Sequence, residues 1–354
     1  MRVKTFRGRS TSDALQQVRQ SLGSEAIILN TQTLEEDGRE VCEVVAAVEP
    51  NGNQGGGSGP EQPEPDRSWE AWHNEWNRFK EQLFVLLKPQ MDLSRLSPRQ
   101  RLAMEYLEKE GVGSELMMRL WERLRDRPDA SSLAELSQLI PVKPWQPKAW
   151  PQKAHALIGP HGVGKTTSIL RLALDHKQRR PSDRICLVNA DGHQGKGRLL
   201  LKHYAELSDL AYREAEQPSE WGKLVGELGS FDRIFLDLPG LGGGASPKQW
   251  LGSMSEGFRG MCLHLVLSPV YSSRQLLSYT RELPMHKVSS LVWTKLDEAC
   301  SYAEMLNMGY ATGLPASLLT FSPSLKNSTS AARERILWQL VFKHRLPNTQ
   351  QGSF

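Results

Sequence analysis

Cysteine is scarce, four in 354 residues, and Cys42, Cys186, Cys262 and Cys300 lie too far apart to form a ligand pair. That spacing speaks against a zinc site or a disulfide framework and fits the reduced thiols of a cytosolic protein. No uninterrupted apolar run approaches the roughly 18–20 residues of a membrane-crossing helix, so any membrane association is expected to be peripheral. Met1 to Ser10 is basic with no apolar stretch behind it, and no secretory leader is expected. Aromatic residues do not interleave with basic ones, so no RNA-binding platform is visible. The net charge of +4 permits contact with an anionic surface without arguing for it.

What is present suggests a chain of several domains. Residues 1–49 read as a small basic βαββ unit. It has strands at Val3–Phe6, Ala26–Leu29 and Val41–Val48, a turn at Asp37-Gly38, and a helix capped by Ser12 that carries Ala14, Leu15, Val18 and Leu22. The cations Arg2, Lys4, Arg7 and Arg9 suit either a solvated strand face or an acidic surface. Residues 50–66, rich in Gly, Pro, Glu and Gln, form a linker. Residues 67–150 read as a helical bundle. Its first helix carries Trp69, Trp72, Trp76, Phe79, Leu83 and Leu86 as one stripe, either buried in the bundle or presented to a membrane or partner. Further helices are expected near Pro98–Lys109, Ser114–Leu124 and Ser132–Leu139, followed by the proline-rich connection Pro141 to Pro151. In residues 151–345, before a tail at 346–354, apolar runs alternate with helical patterns, which predicts an α/β domain with a parallel sheet.

The run Gly159-Pro160-His161-Gly162-Val163-Gly164-Lys165-Thr166-Thr167 matches the phosphate-binding loop, between an apolar strand (Ala154–Ile158) and a helix. Its glycines let backbone N–H groups turn toward phosphate oxygens. Lys165 is expected to bridge the β- and γ-phosphates and the Thr166 hydroxyl to hold Mg²⁺. In a parallel sheet, ligands sit at the carboxyl ends of the strands. Asp191 follows the run Ile185–Val188. Asp237 closes Ile234–Leu236 and is a second Mg²⁺ candidate, with Gly240 placed to offer an N–H to the γ-phosphate. After Leu291–Trp293 comes Thr294-Lys295-Leu296-Asp297. The Asp297 carboxylate can accept both donors of guanine, and Lys295 can lay its stem along the base, so GTP is favoured over ATP.

On these motifs the chain resembles the signal-recognition-particle-type GTPase family, and its N-terminal MRVKTF followed by DALQQVRQSLGSEAIIL resembles the flagellar branch. GPHGVGKTT is similar to that family's first motif, DLPGL stands where DTAGR belongs, TKLDE is the guanine motif, and DGHQGKGRLLLKHYAE occupies the insertion box. The resemblance implies a phosphate-loop NTPase domain behind a helical N domain, with GTP/GDP and Mg²⁺ bound and a GTP-dependent homodimer. It also implies peripheral association with the cytoplasmic face of the inner membrane at a cell pole, a role in flagellar placement and assembly, and an FlhG-like, MinD-type ATPase as activator. Three departures bear on catalysis: Gln194 stands where the family has the Arg of DTYR, Leu200 replaces a Gln, and Leu241 replaces the Arg of DTAGR. The closing loop reads Leu319-Thr320-Phe321-Ser322-Pro323 in place of a glycine-containing one. Asp191, which orients the attacking water in the family, is kept. Catalysis is therefore assigned to Asp191, Lys165 and Gln194, and slow or partner-stimulated hydrolysis is expected; Lys196 or Arg198, two and four residues beyond Gln194 in a glycine-punctuated loop, stays open as a substitute cation. A non-hydrolysing scaffold and a co-translational targeting receptor stay open as alternatives, and contact with ribosome or nucleic acid ranks last.

Overall fold

The computed structural model describes residues 2–8, 16–17, 20–21, 27–36, 39–48, 91–191, 196–215, 217–241, 249–252 and 260–347. The chain divides into two compact units, Met1–His73 and Asn74–Phe354. In the first, β1 (Arg2–Gly8), β2 (Ile27–Glu36) and β3 (Arg39–Val48) form an antiparallel sheet in the order β1-β3-β2. Strand β2 runs seven residues beyond the expected end at Leu29, because its ladder with β3 continues to Glu36↔Arg39 through polar residues that no apolar pattern marks. Residues 16–17 and 20–21 are helical. The turn at Asp37-Gly38, the linker and the tryptophan stripe of residues 69–86 lie outside the described residues.

The second unit begins with α1 (Pro98–Glu110), α2 (Ser114–Leu124) and α3 (Ser132–Leu139), close to the expected positions. Helix α1 shows why its ends are legible: Ser97 and Gln100 form a capping box, Pro98 occupies the first turn, and Gly111 ends the helix in the left-handed region at φ 95°. Against these helices packs α9 (Glu334–Lys343), where Trp338 Nε1 donates to Ser137 Oγ at 3.0 Å and Tyr106 donates to the Val341 carbonyl at 3.1 Å.

Eight strands form one sheet in the order β11-β10-β9-β8-β4-β7-β5-β6. They are β4 (Ala154–Pro160), β5 (Ile185–Asn189), β6 (Ala211–Glu214), β7 (Arg233–Leu241), β8 (Cys262–Leu267), β9 (Val288–Trp293), β10 (Ala316–Thr320) and β11 (Thr329–Ala331). All neighbours are parallel except β10 and β11. The connecting helices are α4 (Lys165–Arg179), α5 (Lys196–Leu207), α6 (Trp221–Leu228), α7 (Ser273–Arg281) and α8 (Ala303–Thr312). Leu157 packs with Ile169 and Leu201 of α4 and α5, while its neighbours Ala156 and Ile158 belong to the core shared with α1, α2 and α9. Burial on both faces is why these strands read as continuous apolar runs rather than alternating ones. Three strands went unread: β6 is a half-buried edge of four residues, β10 takes Leu319 and Thr320 out of the expected closing loop, and β11 has only three residues.

At the amino end of the sheet a polar line crosses five strands. Arg233 donates to His155 Nε2 at 2.8 Å, His155 Nδ1 meets His264 Nε2 at 3.1 Å, His264 Nδ1 meets Ser290 Oγ at 2.7 Å, and Ser290 meets Ser317 at 2.7 Å. A guanidinium only donates, so His155 must accept on Nε2 and carry its proton on Nδ1. The same logic hands each donor onward to the Ser317 hydroxyl, which donates to the Leu291 carbonyl at 3.1 Å. The Trp145 and Trp150 rings lie 4.8 and 5.1 Å from the His264 ring. Burial, with the nearby Arg233 charge, lowers His155 to about 3, and burial holds His264 well below the ordinary histidine value. Both imidazoles stay neutral in the fold but protonate on unfolding, so their contribution is complete above about pH 6.5 and falls with pH below it, that of His155 being lost toward 3. Urea unfolding at pH 4.5 should show a loss of about 2–3 kcal/mol from His155 relative to pH 7. His155→Asn should reduce that loss, and an identical pH profile in the variant would show that His155 is not its source.

Candidate functional site

The phosphate loop joins β4 to α4 at the carboxyl end of the sheet. Gly162 and Gly164 adopt φ 69° and 100°, values that side chains disfavour, and Gly164 caps α4 with no side chain over the first free amides. Gly159 is fixed by crowding: a Cβ there would lie 2.2 Å from the Val266 carbonyl oxygen of β8. Lys165 is buried and curls back on the loop, donating to the carbonyls of Gly159 at 3.2 Å and Pro160 at 3.3 Å. Thr294, at the end of β9, ties the loop to the base side, donating to the Val163 carbonyl at 2.6 Å.

Strand β7 does not stop at Asp237, where the apolar run closes. It pairs with β4 through Gly159↔Gly240 and Pro160↔Leu241, so the segment after Asp237 continues alongside the phosphate loop as far as Leu241. That register brings Asp237 to the Thr166 hydroxyl, which donates to its Oδ2. Asp237 is 1% exposed, and its Oδ1 is buried with no hydrogen-bond partner. Burial pushes this carboxyl up to about 6, against the lowering effects of the Lys165 charge and the Thr166 hydrogen bond. Asp191, just past β5, accepts the Gly240 N–H at 3.2 Å, and its own N–H donates to Asn189 Oδ1 at 3.3 Å. Lys165, Thr166, Asp191, Asp237 and Gly240 thus converge on one end of the sheet.

Asp297 is exposed on the turn after β9, where Lys295 takes φ 55° and reaches Glu298 at 3.6 Å. Beneath that turn lies a residue the sequence reading missed. Arg171 of α4 is 6% exposed and donates through Nη2 to the carbonyls of Ser322 and Ser324, the latter at 2.7 Å, so it grips the segment after β10. Its one signal was an arginine six residues after Lys165 in an otherwise apolar stretch of helix. A second correction concerns Arg198. It stands in α5 rather than in a loop, and its Nε donates to Glu214 Oε1 at 2.8 Å. Gln194 lies outside the described residues, as does the Lys196 side chain. Leu241 is buried and Leu200 lies on α5, so neither offers a polar group.

No model of a known protein family matches the chain. It is 26% identical over 195 residues to the flagellar biosynthesis protein FlhF of Aquifex aeolicus (strain VF5), covering 54% of this chain and 51% of that protein. Against FlhF of Pseudomonas aeruginosa it is 23% identical over 251 residues, covering 69% of this chain and 58% of that protein. These matches span about half the length of those relatives. A crystal structure of FlhF complexed with GMPPNP and Mg²⁺ superposes with a TM-score of 0.58 at 19% identity, covering 68% of this chain and 99% of that one. The chain is thus repeatedly similar to FlhF proteins from different bacteria, and its sheet and phosphate loop have the fold of the FlhF crystal structures.

Proposed function

We propose that the protein is a guanine-nucleotide switch that binds Mg·GTP at the carboxyl end of its sheet, dimerises in that state and hydrolyses GTP slowly. The observation that carries this reading is the buried Asp237, bonded to Thr166 through one oxygen and left with the other unpartnered. An orphaned buried carboxylate oxygen beside a hydroxyl is a hard, oxygen-only donor set of the kind that suits Mg²⁺. Thr166 and Asp237 would hold the ion, which when bound neutralises charge on the β- and γ-phosphates. Lys165 exchanges its loop carbonyls for phosphate oxygens, joined there by the N–H groups of the loop from Gly159 to Thr167 other than Pro160, which has none. Gly240 and Asp191 face the terminal phosphate, Asp191 orienting water. Thr294, Lys295 and Asp297 serve the base. FlhF with GTP/Mg²⁺ or GMPPNP/Mg²⁺ in its crystals supports the ligand assignment.

Slow turnover follows from charge. The phosphoryl-transfer transition state spreads negative charge over the γ-oxygens, and a positioned arginine is worth about 10³–10⁵ in rate. Gln194 carries no charge, Leu200 and Leu241 no polar group, and Arg198 is committed to Glu214. Single-turnover hydrolysis by the isolated protein should run below about 1 per minute. A rate of several per second would sink the slow-switch reading, and none at all with tight binding would favour a scaffold. A MinD-type ATPase of the FlhG kind is the proposed activator, and an anionic inner-membrane surface the proposed docking site in flagellar placement. No helix among the described residues is long and apolar enough to cross a membrane.

Dimerisation has its own test. Light scattering should give a larger mass with GMPPNP than with GDP, since the γ-phosphate is the ligand proposed to engage the segments after Asp191 and Asp237. Equal masses in both states would argue against a nucleotide-controlled dimer.

A further inference from the structure

The His161 side chain leaves the phosphate loop and lies flat against Gly240. A Cβ built at Gly240 would fall 2.5 Å from both Cε1 and Nδ1 of that ring and 2.6 Å from Cδ2. Those are the nearest atoms to that position, so the ring seats here because residue 240 has no side chain. The contact is built by strand register, since Gly159↔Gly240 and Pro160↔Leu241 hold the two backbones side by side. The ring is exposed and makes no hydrogen bond to any described residue. The Gly240 N–H beneath it is bound to Asp191. Lys165 and Asp237 are the other charged groups at this end of β4 and β7.

We propose that His161 is the residue by which this site distinguishes GTP from GDP, its imidazole N–H donating to oxygens of the terminal phosphate. The inference rests on the reading of the loop as a guanine-nucleotide site, and adds to it the group that reads the third phosphate. Imidazole carries at least one N–H donor in either protonation state, so the contact is available across the working pH range. Its position is informative. Lys165, Thr166 and Asp237 account for the phosphates and metal from below, and Asp191 and Gly240 mark the far side of the terminal phosphate. The His161 ring lies at the join between them. It also brings a donor to a site whose candidate substitute cation Arg198 is bonded to Glu214 instead.

The test measures GMPPNP and GDP affinities of the full chain by calorimetry with Mg²⁺ present. His161→Thr should lower the GMPPNP-to-GDP affinity ratio about tenfold, as expected for one lost hydrogen bond to a charged group, with GDP affinity within about twofold of wild type. His161→Gln, which keeps an N–H donor, should recover part of the ratio. Gly240→Ala should displace the ring and lower the ratio in the wild-type background, yet add little to His161→Thr. The ring is exposed, so thermal melts of both His161 variants should match wild type. An unchanged ratio in His161→Thr, or full additivity with Gly240→Ala, overturns this inference alone. A wild type that binds neither nucleotide overturns it together with the nucleotide-site reading.

Discussion

Replacing Lys165 with Ala should cut affinity for GTP analogues and GDP by about a hundredfold or more while the protein stays folded. Lys165 is buried, and among the described residues its ammonium donates to the Gly159 and Pro160 carbonyls at 3.2 and 3.3 Å. Those neutral acceptors hold the charge in place until a better one arrives. Two hydrogen bonds from an ammonium to phosphate oxygens, each worth about 1.5–3 kcal/mol, give at least a hundredfold. The fold should tolerate the change because the loop is shaped by Gly162, Gly164 and the Thr294 tether rather than by the lysine. Calorimetry with GDP and GMPPNP, beside a thermal melt, checks both halves. Wild-type affinity in the variant would reduce the loop to a strand-to-helix turn.

Base selection should respond as strongly. Wild type is expected to prefer GTP to ATP, and Asp297→Asn should lower GTP affinity tenfold or more while admitting xanthine nucleotides. A carboxylate offers two acceptors, matching the ring N–H and exocyclic amine of guanine. An amide offers one acceptor and one donor, matching xanthine, whose exocyclic group is a carbonyl. A matched polar pair lost at a desolvated contact costs about 1–3 kcal/mol. Asp297 stands on a turn that Lys295 enters at φ 55°, above the segment that Arg171 grips by the Ser322 and Ser324 carbonyls. Competition of GTP, ATP and XTP against a fluorescent guanine nucleotide reads the result directly. Equal displacement by ATP and GTP in the wild type would remove the guanine assignment.

How much of this was legible in one dimension depends on how far apart the partners lie. The loop from Gly159 to Thr167 is a local object: its glycines, lysine and threonine are neighbours, and both flanks are regular. Asp191, Asp237 and Asp297 could be singled out because parallel strands bring successive carboxyl ends to one edge, which draws attention to a carboxylate within a few residues of each apolar run. What stayed hidden depended on register between distant segments. That β7 runs on to Leu241 follows from its pairing with β4, and only that pairing sets the His161 ring on Gly240. The grip of Arg171 on Ser322 and Ser324 spans about 150 residues. The commitment of Arg198 to Glu214 needs strand β6, too short and too exposed to show itself as a pattern.

The polar line from Arg233 to Ser317 bears on how such chains diverge. Each member donates to the next, so a change at one position leaves a neighbour facing donor to donor or acceptor to acceptor. A drifting sequence can keep the line whole or replace it with apolar residues in several places together, but single steps between those states are penalised. Among relatives as distant as about one residue in four, positions 155, 233, 264, 290 and 317 should therefore turn over as a block, even though they come from five different strands and lie at the end of the sheet away from the nucleotide loop.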